Sequence, residues 1–493
     1  MPFFTLRNLR VPVKEVPEDC NDLDASLKPF IAAACNVPEK AVLNYQISNR
    51  SVDARIREVF VGYTLHVELS GNATGDNIEP EESKWSFEAD VPKYTMPPRG
   101  QSTGIIVVGS GPAGLLSAWL LAHYGCKPIV IDRGKDVESR SADIGHFMQS
   151  GVLNESSNFL IGEGGAGTFS DGKLYTRTRD PLGKFILKLF VDHGAPKEIL
   201  YLKRPHIGSD KLPGMVKSIR EQIIEMGGEF IFKKEITGIF EENGRCGGVV
   251  ASDGEKFHAP AVIIAHGLGG RRLTEHLVEA GIEYALKDFQ IGTRIEHTQA
   301  LINYNQYGSA TPHPCLGAAE YNVVSRPPKG FRAGNVSSFC MCPGGMIVPA
   351  VTEDLHLSTN GMSRYARNGE FANSCLIVNQ SKDDFSSPEE AFRLLRELES
   401  QVYFAGGGSF VAPAQDAAAF VGDYLGLSRS ETSYCFGLEP GRIDEMLPAK
   451  TTRALRVGLK YFEKIFPNFI RQGVLVGTET YISSPVRFLR DKE

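Results

Sequence analysis

Short, uninterrupted apolar runs alternate with longer amphipathic stretches through the middle of the chain. Ile105–Val108 and Pro128–Ile131 are two such runs, and residues 113–124 between them predict a helix. Ala261–Ala265, with the sequence AVIIA, is a third run. Runs of this kind are typical of strands that are buried on both faces of a parallel sheet. The pattern therefore predicts an α/β domain over residues 103–274, in which helices cover a parallel sheet.

A different pattern precedes this domain. Residues 1–95 predict a small α+β module of the split β-α-β, or ferredoxin-like, type, and residues 96–102 predict a linker rich in Pro and Gly. The module has no cluster of His, Cys or paired carboxylates, so we expect it to pack against the rest of the chain or to dock a partner. Its predicted elements are strands Phe3–Val13, Ala41–Ser48 and Val59–Glu68 and helices Leu23–Cys35 and Ser51–Arg57.

Strand-like segments with turn dipeptides between them follow the predicted helices of the α/β domain. Phe230–Phe232, Glu235–Phe240 and Gly248–Ser252 alternate in the manner of strands. Asn243-Gly244 and Asp253-Gly254 are dipeptides that favour tight hairpin turns. These segments predict an antiparallel meander.

The last third of the chain has a mixed pattern. Residues 275–475 predict an α+β domain inserted into the α/β domain, and residues 476–493 predict the start of the return to it. The predicted elements of the insert are strands Gly345–Val351 and Leu355–Thr359 and helices Pro388–Tyr403 and Thr451–Phe466.

The first apolar run leads into a glycine-rich turn, GSGPAG, with the spacing G-x-G-x-x-G. Gly109 allows the tight turn, Gly111 lets the backbone approach a diphosphate, and Gly114 lets the helix pack close to the strand. Asp132 follows at the end of the next strand, where a carboxylate can accept hydrogen bonds from an adenosine ribose. The unit predicts a dinucleotide site and leaves NAD and FAD both open. Its expected cofactor-binding residues are Gly109, Ser110, Gly111, Pro112, Ala113, Gly114, Asp132 and Arg133.

Composition narrows the range of partners. The net charge of −6 argues against nucleic acid, because no broad basic surface is expected. No run of about 18 apolar residues is present, so no membrane-spanning segment is expected. The nine cysteines are dispersed, which is typical of a reducing compartment, and the N-terminus lacks the apolar core of a secretory signal. We therefore expect a cytoplasmic protein that acts on a small molecule.

Longer strings are more specific than the glycine turn. They are GEGGAGTFSDGKLYTRTRD (162–180), RPHIGSDKLPGMV (204–216), SFCMCPGGMIVPA (338–350), NGMSRYARNGEFANS (360–374) and SSPVRFLRDKE (483–493). In these strings the chain resembles the FAD-dependent dehydrogenases of bacteria and plastids, also called NAD(FAD)-utilising dehydrogenases.

The resemblance implies a Rossmann-like, glutathione-reductase-type FAD-binding domain, made of a parallel sheet and a β-meander. It also implies an inserted α+β substrate domain and the small ferredoxin-like domain in front. FAD is the implied cofactor, with Ile236 beside the adenine. The remaining cofactor contacts that the resemblance implies are Gly164, Gly165, Ala166, Thr168, Ala265 and Gly267.

Four side chains are candidates for catalysis, although the sequence assigns none of them. Lys173 closes a G-x-x-x-x-G-K string, but the next residue is Leu174, where a phosphate-binding loop needs Ser or Thr. Lys173 and Asp171 can instead anchor this loop, touch substrate or form a simple surface ion pair. His206 lies in a charged segment that can bind an acidic substrate, or that can be a solvated loop whose charged side chains pair with one another. Cys340 and Cys342 are structural thiols or part of a substrate site, and no metal site is predicted.

These features predict an FAD-dependent oxidoreductase that transfers hydride between flavin and a small organic substrate. The alternatives are a flavin-dependent aromatic monooxygenase and a non-catalytic flavin-binding sensor or docking protein. No second glycine turn follows a strand, so a transiently bound NAD(P)H, a redox partner protein or the substrate would reduce the flavin. Members of the family continue beyond the SSPVR string into a glycine-rich turn that completes the FAD site. We therefore expect weakened FAD binding in a chain that ends at Glu493.

Overall fold

The computed structural model describes residues 2–55, 58–87, 89–91, 93, 104–176, 180–429 and 431–490. Its N-terminal part contains strands β1 (Phe3–Pro12), β2 (Val42–Asp53), β3 (Phe60–Leu69) and β4 (Ile78–Glu81) and helix α1 (Lys28–Cys35). The strands form an antiparallel sheet in the order β2-β3-β1-β4. Every second side chain of β3 is buried, so one face of this sheet covers a core of its own.

The strand–helix–strand order that was predicted for this module is present, with one difference. The predicted helix Ser51–Arg57 is wrong, because residues 51–53 continue β2 and pair with residues 60–62 of β3. Cross-strand pairing therefore overrides a weak local preference for helix. Ile56, Arg57 and the predicted linker at residues 96–102 lie outside the described residues.

The α/β part begins with β5 (Ile106–Val108), α2 (Pro112–His123), β6 (Ile129–Ile131) and α3 (Val137–Ser150). It continues with α4 (Leu182–Asp192), α5 (Leu212–Glu225), β7 (Glu229–Ile231), β8 (Ile236–Glu242), β9 (Arg245–Ala251), β10 (Lys256–His258), β11 (Val262–Ile264) and α6 (Arg271–Glu279). Four of these strands form a parallel sheet in the order β11-β5-β6-β7. All three residues of β5 are buried, as expected for a central strand of a parallel sheet.

The meander is a separate antiparallel sheet with the order β10-β9-β8. Its first turn has φ of 53° at Asn243 and 75° at Gly244, the left-handed values that a tight hairpin needs. The prediction placed Phe230–Phe232 in this meander. That placement is wrong: β7 pairs in parallel with β6, because helices α3 to α5 carry the chain over to the same sheet.

The third part is built on a sheet with the order β14-β17-β13-β20-β18-β19. Its elements begin with β12 (Tyr284–Leu286), β13 (Phe289–Thr298), α7 (Gln299–Tyr307), β14 (Val336–Cys342), β15 (Met346–Pro349), β16 (Thr359–Met362), β17 (Phe371–Gln380) and α8 (Pro388–Ala405). They end with β18 (Ala412–Asp416), α9 (Ala417–Gly422), β19 (Leu438–Pro440), α10 (Ile443–Met446), α11 (Ala449–Ile465), β20 (Val474–Glu479) and β21 (Val486–Phe488).

Two predictions for this part need correction or adjustment. Leu355–Thr359 was predicted as a strand, but only Thr359 is in one, as the first residue of β16. The predicted boundary after residue 475 falls inside β20, which pairs with β13 and β18. The chain then continues into β21, which pairs with β12 of the same part, and Phe488 packs against the core of the parallel sheet.

An ion pair lies in the middle of the large sheet. Arg294 on β13 donates to Glu479 on β20 at 2.7 Å, and both side chains are fully buried. Arg294 also donates to the side-chain oxygens of Asn373 and Asn360 at 2.9 and 2.8 Å. These bonds join β13, β16, β17 and β20 at one point, so the pair ties the sheet together.

Candidate functional site

A cavity of about 540 Å³ opens at the carboxyl ends of β5, β6 and β11. Further walls are formed by residues 160–162, 165–167, 266–271 and 483–488. Of the predicted cofactor-binding residues, eleven line it: Gly109, Gly111, Pro112, Ala113, Asp132, Arg133, Gly165, Ala166, Ile236, Ala265 and Gly267. The structure therefore brings together residues that are up to 158 positions apart in the sequence, as the interpretation of one dinucleotide site requires.

The glycine turn forms one wall because there is no room for side chains there. Gly109 has φ of 97°, and a Cβ on it would lie 2.6 Å from the carbonyl oxygen of Ala265. A Cβ on Gly114 would lie 1.8 Å from the carbonyl oxygen of Gly109, so α2 packs directly on the turn. A Cβ on Gly111 would instead meet only the Cα of Gly165, at 3.8 Å. Gly111 is thus the glycine whose missing side chain leaves space for a ligand.

The first turn of α2 carries backbone N–H groups that suit an anion. Gly111 is the N-cap, Pro112 occupies the first turn, and within the described residues no side chain caps this helix. The open N–H groups and the positive end of the helix dipole favour a phosphate group.

Asp132 braces the turn from the end of β6. Its Oδ2 accepts hydrogen bonds from the backbone N–H and the hydroxyl of Ser110, each at 2.7 Å, and its Oδ1 accepts from the N–H of Gly134 at 2.7 Å. Ser110 is fully buried and does not line the cavity. The sequence predicts that Asp132 accepts hydrogen bonds from a ribose. The structure shows that its carboxylate also fixes the conformation of the glycine turn.

The loop at residues 158–167 is held by one buried arginine. The Arg140 guanidinium donates to the carbonyl oxygens of Asn158, Phe159, Gly162, Glu163 and Gly165 at 2.7–3.2 Å. The side chain is fully buried, and burial lowers its pKa to about 9. Nothing in the sequence marks Arg140, because its partners are carbonyl groups that any residue provides.

Two predicted contacts lie behind this loop and not in its cavity-facing wall. The N–H of Gly164 donates to the carbonyl oxygen of Ser110 at 2.8 Å, which ties the loop to the glycine turn. Thr168 is buried, and its hydroxyl lies 3.5 Å from the carbonyl oxygen of Glu163. Neither residue lines the cavity. Both therefore support the wall in this structure.

Arg271 adds a cation that sequence reasoning missed. It is the first residue of α6, it lines the cavity, and its guanidinium donates to Glu399 at 2.6 Å. The guanidinium also lies over the ring of Tyr481, 3.8 Å from the centroid. Glu399 and Tyr481 belong to the third part of the chain, and they are too distant in sequence for a local pattern to connect them with Arg271.

The candidate catalytic residues lie elsewhere, and none of the four lines the cavity. Lys173 forms an ion pair with Asp171 at 2.6 Å, and Arg367 donates to the same carboxylate at 2.9 Å. Burial alone would raise the pKa of Asp171, but Lys173 and Arg367 lower it to about 2. Lys173 therefore pairs with Asp171, but the pair is largely buried and does not lie at the surface as the sequence interpretation expected.

His206 and the cysteines surround this ion pair. The Nε2 of His206 lies 2.9 Å from the carbonyl oxygen of Tyr365, and burial lowers the pKa of the imidazole. The thiol of Cys342 donates to the carbonyl oxygen of Cys340 at 3.2 Å, and burial raises the pKa of Cys340 to about 12. Among the described residues, no three His, Cys, Asp or Glu side chains are grouped to hold a metal ion.

The cavity fits a flavin dinucleotide. Its volume lies in the usual range for ligand pockets of about 300–1,000 Å³. The glycine turn and the open N–H groups of α2 suit a diphosphate, and apolar side chains such as Ile131, Ile161 and Ile264 suit aromatic rings. The cavity wall also includes Arg133, whose Nε has no hydrogen-bond partner within the described residues and can donate to a ligand.

Sequence comparisons agree with this arrangement. A domain family described as "FAD-dependent protein, C-terminal domain-like" matches residues 288–481, an FAD binding domain family matches residues 102–155, and a domain of unknown function matches residues 5–68. These matches identify an FAD-dependent protein with an FAD-binding α/β fold.

An uncharacterized protein of Clostridium beijerinckii is 38% identical over 479 residues, which covers 94% of this chain and 88% of the clostridial protein. The chain belongs to the same family as this clostridial protein. The described residues contain no helix that is long and apolar enough to span a bilayer.

Solved structures show a weaker likeness. CtdE in complex with FAD overlaps with a TM-score of 0.29 at 11% identity, over 76% of this chain and 72% of CtdE. Tetracycline destructase Tet(55) overlaps with a TM-score of 0.31 at 13% identity, over 63% of this chain and 62% of the destructase. Scores this low support no inference about the function of this chain.

Proposed function

We propose that the protein is an FAD-dependent oxidoreductase that transfers hydride between flavin and a small organic substrate. The position of the cavity carries this proposal. One side of the cavity is the dinucleotide turn of the α/β part, and the other is formed by Phe392, Leu395 and residues 483–488 of the third part. Ligand sites occur preferentially at joints of this kind between domains.

The residues divide along the cavity according to what each can bind. Gly109, Gly111 and the first turn of α2 would hold the diphosphate, while Asp132 and Ile236 would hold the adenosine. The loop at residues 165–167 would form the wall beside the remainder of the cofactor. Bound FAD supplies a two-electron carrier at this joint, and the chain supplies orientation and shielding from water.

The chain contributes rigidity rather than an identified acid or base. Arg140 fixes the loop at residues 158–165 through five hydrogen bonds, so this wall keeps its shape when a ligand enters. Lys173, His206, Cys340 and Cys342 lie outside the cavity, and we assign no proton-transferring residue to the reaction. The transfer of hydride requires a substrate that is correctly oriented against the flavin.

A spectrum and a reduction assay test the proposal. Purified protein is incubated with FAD and desalted, its visible spectrum is recorded, and the bound compound is identified after denaturation. We expect bound FAD that loses its absorbance when NADH, NADPH or members of a substrate library are added without oxygen. FAD that binds but is reduced by none of these would favour a non-catalytic flavin protein, and oxygen-dependent hydroxylation of an aromatic compound would favour a monooxygenase. No binding after reconstitution would overturn the flavin site itself.

A further inference from the structure

Arg271 is the point at which the cofactor cavity meets the joint between the α/β part and the third part. The side chain starts from α6 of the α/β part and is only 12% exposed. Its guanidinium donates to Glu399 at 2.6 Å and to the carbonyl oxygen of Thr480 at 3.2 Å, and it stacks on Tyr481. All three partners belong to the third part, yet Arg271 also lines the cavity.

These partners are firmly held. Glu399 lies on α8, is buried, and also accepts a hydrogen bond from the Thr480 hydroxyl. Thr480 follows β20 directly, and its N–H donates to the hydroxyl of Ser358 at 3.1 Å. The hydroxyl of Tyr481 lies 2.7 Å from that of Thr352. The partners of the Arg271 guanidinium are therefore part of a packed hydrogen-bond network and not of a loose loop, so this network resists displacement of the guanidinium.

The guanidinium has donors left for a ligand. An arginine carries five N–H donors, and the bonds to Glu399 and Thr480 use two of them. Oxygen atoms of a cofactor, either on a diphosphate or on the carbonyl groups of a flavin ring, are acceptors that fit such donors. In either case one guanidinium would touch the cofactor and the third part at the same time.

We propose that Arg271 binds an oxygen acceptor of the cofactor and, through Glu399 and Tyr481, couples cofactor binding to the docking of the third part on the α/β part. The proposal rests on the flavin site proposed above. Coupling between two events is reciprocal: bound cofactor favours docking by the same factor by which docking favours the cofactor, and here the coupling runs through the one guanidinium that touches both. Glu399 makes this testable, because it holds Arg271 but does not line the cavity.

A second ion pair between the same two helices provides the control. Glu275 on α6 accepts from Arg396 on α8 at 2.7 Å, and neither residue lines the cavity. Glu275→Gln and Glu399→Gln are therefore the same substitution in two α6–α8 ion pairs, of which only one includes a cavity residue. If Arg271 is the coupling group, only the Glu399 variant changes cofactor affinity.

The experiment measures the Kd of FAD, FMN and ADP by calorimetry for the full chain and for the variants Arg271→Lys, Glu399→Gln and Glu275→Gln. Hydrogen exchange of residues 395–402 with and without FAD is a second readout. We expect the FAD Kd to rise about fivefold or more in the first two variants, the lower end of usual coupling, and to stay within twofold in Glu275→Gln. FAD should slow exchange at residues 395–402 in the parent chain and not in Arg271→Lys.

The three ligands separate the two sources of the oxygen acceptor. Weaker ADP binding in Arg271→Lys assigns the contact to the diphosphate, and weaker FMN binding with unchanged ADP binding assigns it to the flavin. An unchanged FAD Kd in Glu399→Gln, or an equal loss in Glu275→Gln, overturns the coupling and leaves the proposed function standing. Failure of the parent chain to bind FAD overturns both, and binding with these losses but without flavin reduction overturns the oxidoreductase alone.

Discussion

Gly111→Ala should weaken FAD binding without unfolding the protein. A Cβ at this position would meet only the Cα of Gly165, at 3.8 Å, which is ordinary contact. The protein itself therefore tolerates the methyl group, apart from about 1 kcal/mol for placing Ala and not Gly at a helix N-cap. The added methyl group occupies the space where the backbone approaches the diphosphate. Gly114→Ala, in contrast, should disturb the folded protein itself, because its Cβ would lie 1.8 Å from the carbonyl oxygen of Gly109 and would distort the turn.

The size of the effect follows from the hydrogen bonds at the start of α2. A diphosphate that is displaced by a methyl group loses at least one charge-assisted hydrogen bond, which is worth about 1.5–3 kcal/mol. The FAD Kd should rise about 10- to 150-fold. The assay is quenching of FAD fluorescence on titration, combined with thermal unfolding of the protein without ligand.

Gly145→Ala is the matched control. Gly145 lies within α3, nothing is within 4 Å of its Cβ position, and it does not line the cavity. This variant should be more stable by about 0.5–1 kcal/mol and should bind FAD as before. If Gly111→Ala is folded but binds FAD within twofold of the parent chain, the diphosphate does not lie against Gly111 and the assignment of the turn is refuted.

Three further predictions test the framework around the site. Glu479→Gln should lower the free energy of unfolding by about 3–5 kcal/mol in urea titrations, because it leaves Arg294 buried without its counter-charge; a loss below 1 kcal/mol would contradict this. The pKa of Asp171 is held near 2, below its usual value. The ionised carboxylate therefore stabilises the folded protein above about pH 4, and this stabilisation is lost as the pH falls through 2. Asp171→Asn should thus be less stable at pH 6 and lose less stability between pH 4 and 2, and a parent-like pH profile of unfolding would refute this. Arg140→Lys keeps the charge but has three donors for five carbonyl groups, so the FAD Kd should rise at least tenfold in the same titration, whereas unchanged affinity would show that the loop needs no brace.

The parts of the fold that the sequence predicts well are those that depend on residues close together in the sequence. β5, the glycine turn, α2 and β6 fall within 26 residues, and their sheet positions follow from apolar runs and steric limits at Gly109 and Gly114. β7 was misplaced because membership of a sheet depends on the path of three helices. The apolar pattern of three residues contains no information about that path.

The same limit explains the result for the site. The glycines that line the cavity could be predicted because backbone approach requires glycine. Lys173 could not be resolved, because one of the two groups that fix its environment, Arg367, lies almost 200 residues further along. Arg271 was missed for a similar reason, since its partner Glu399 is 128 residues away. Long-range ion pairs depend on tertiary packing and have no local pattern.

The position of β20 in the middle of the large sheet sets an order for folding during synthesis. The N-terminal sheet and the parallel sheet have all their strands once β11 has left the ribosome. One edge of β13, in contrast, has no partner strand until β20 has been synthesised. About 175 residues separate the end of β13 from the start of β20, which is roughly 9–35 s of translation at about 5–20 residues per second. For that interval one edge of β13 stays open, so the nascent chain is most exposed to misassembly and to chaperones in its third part, after the strands of its parallel sheet have been made.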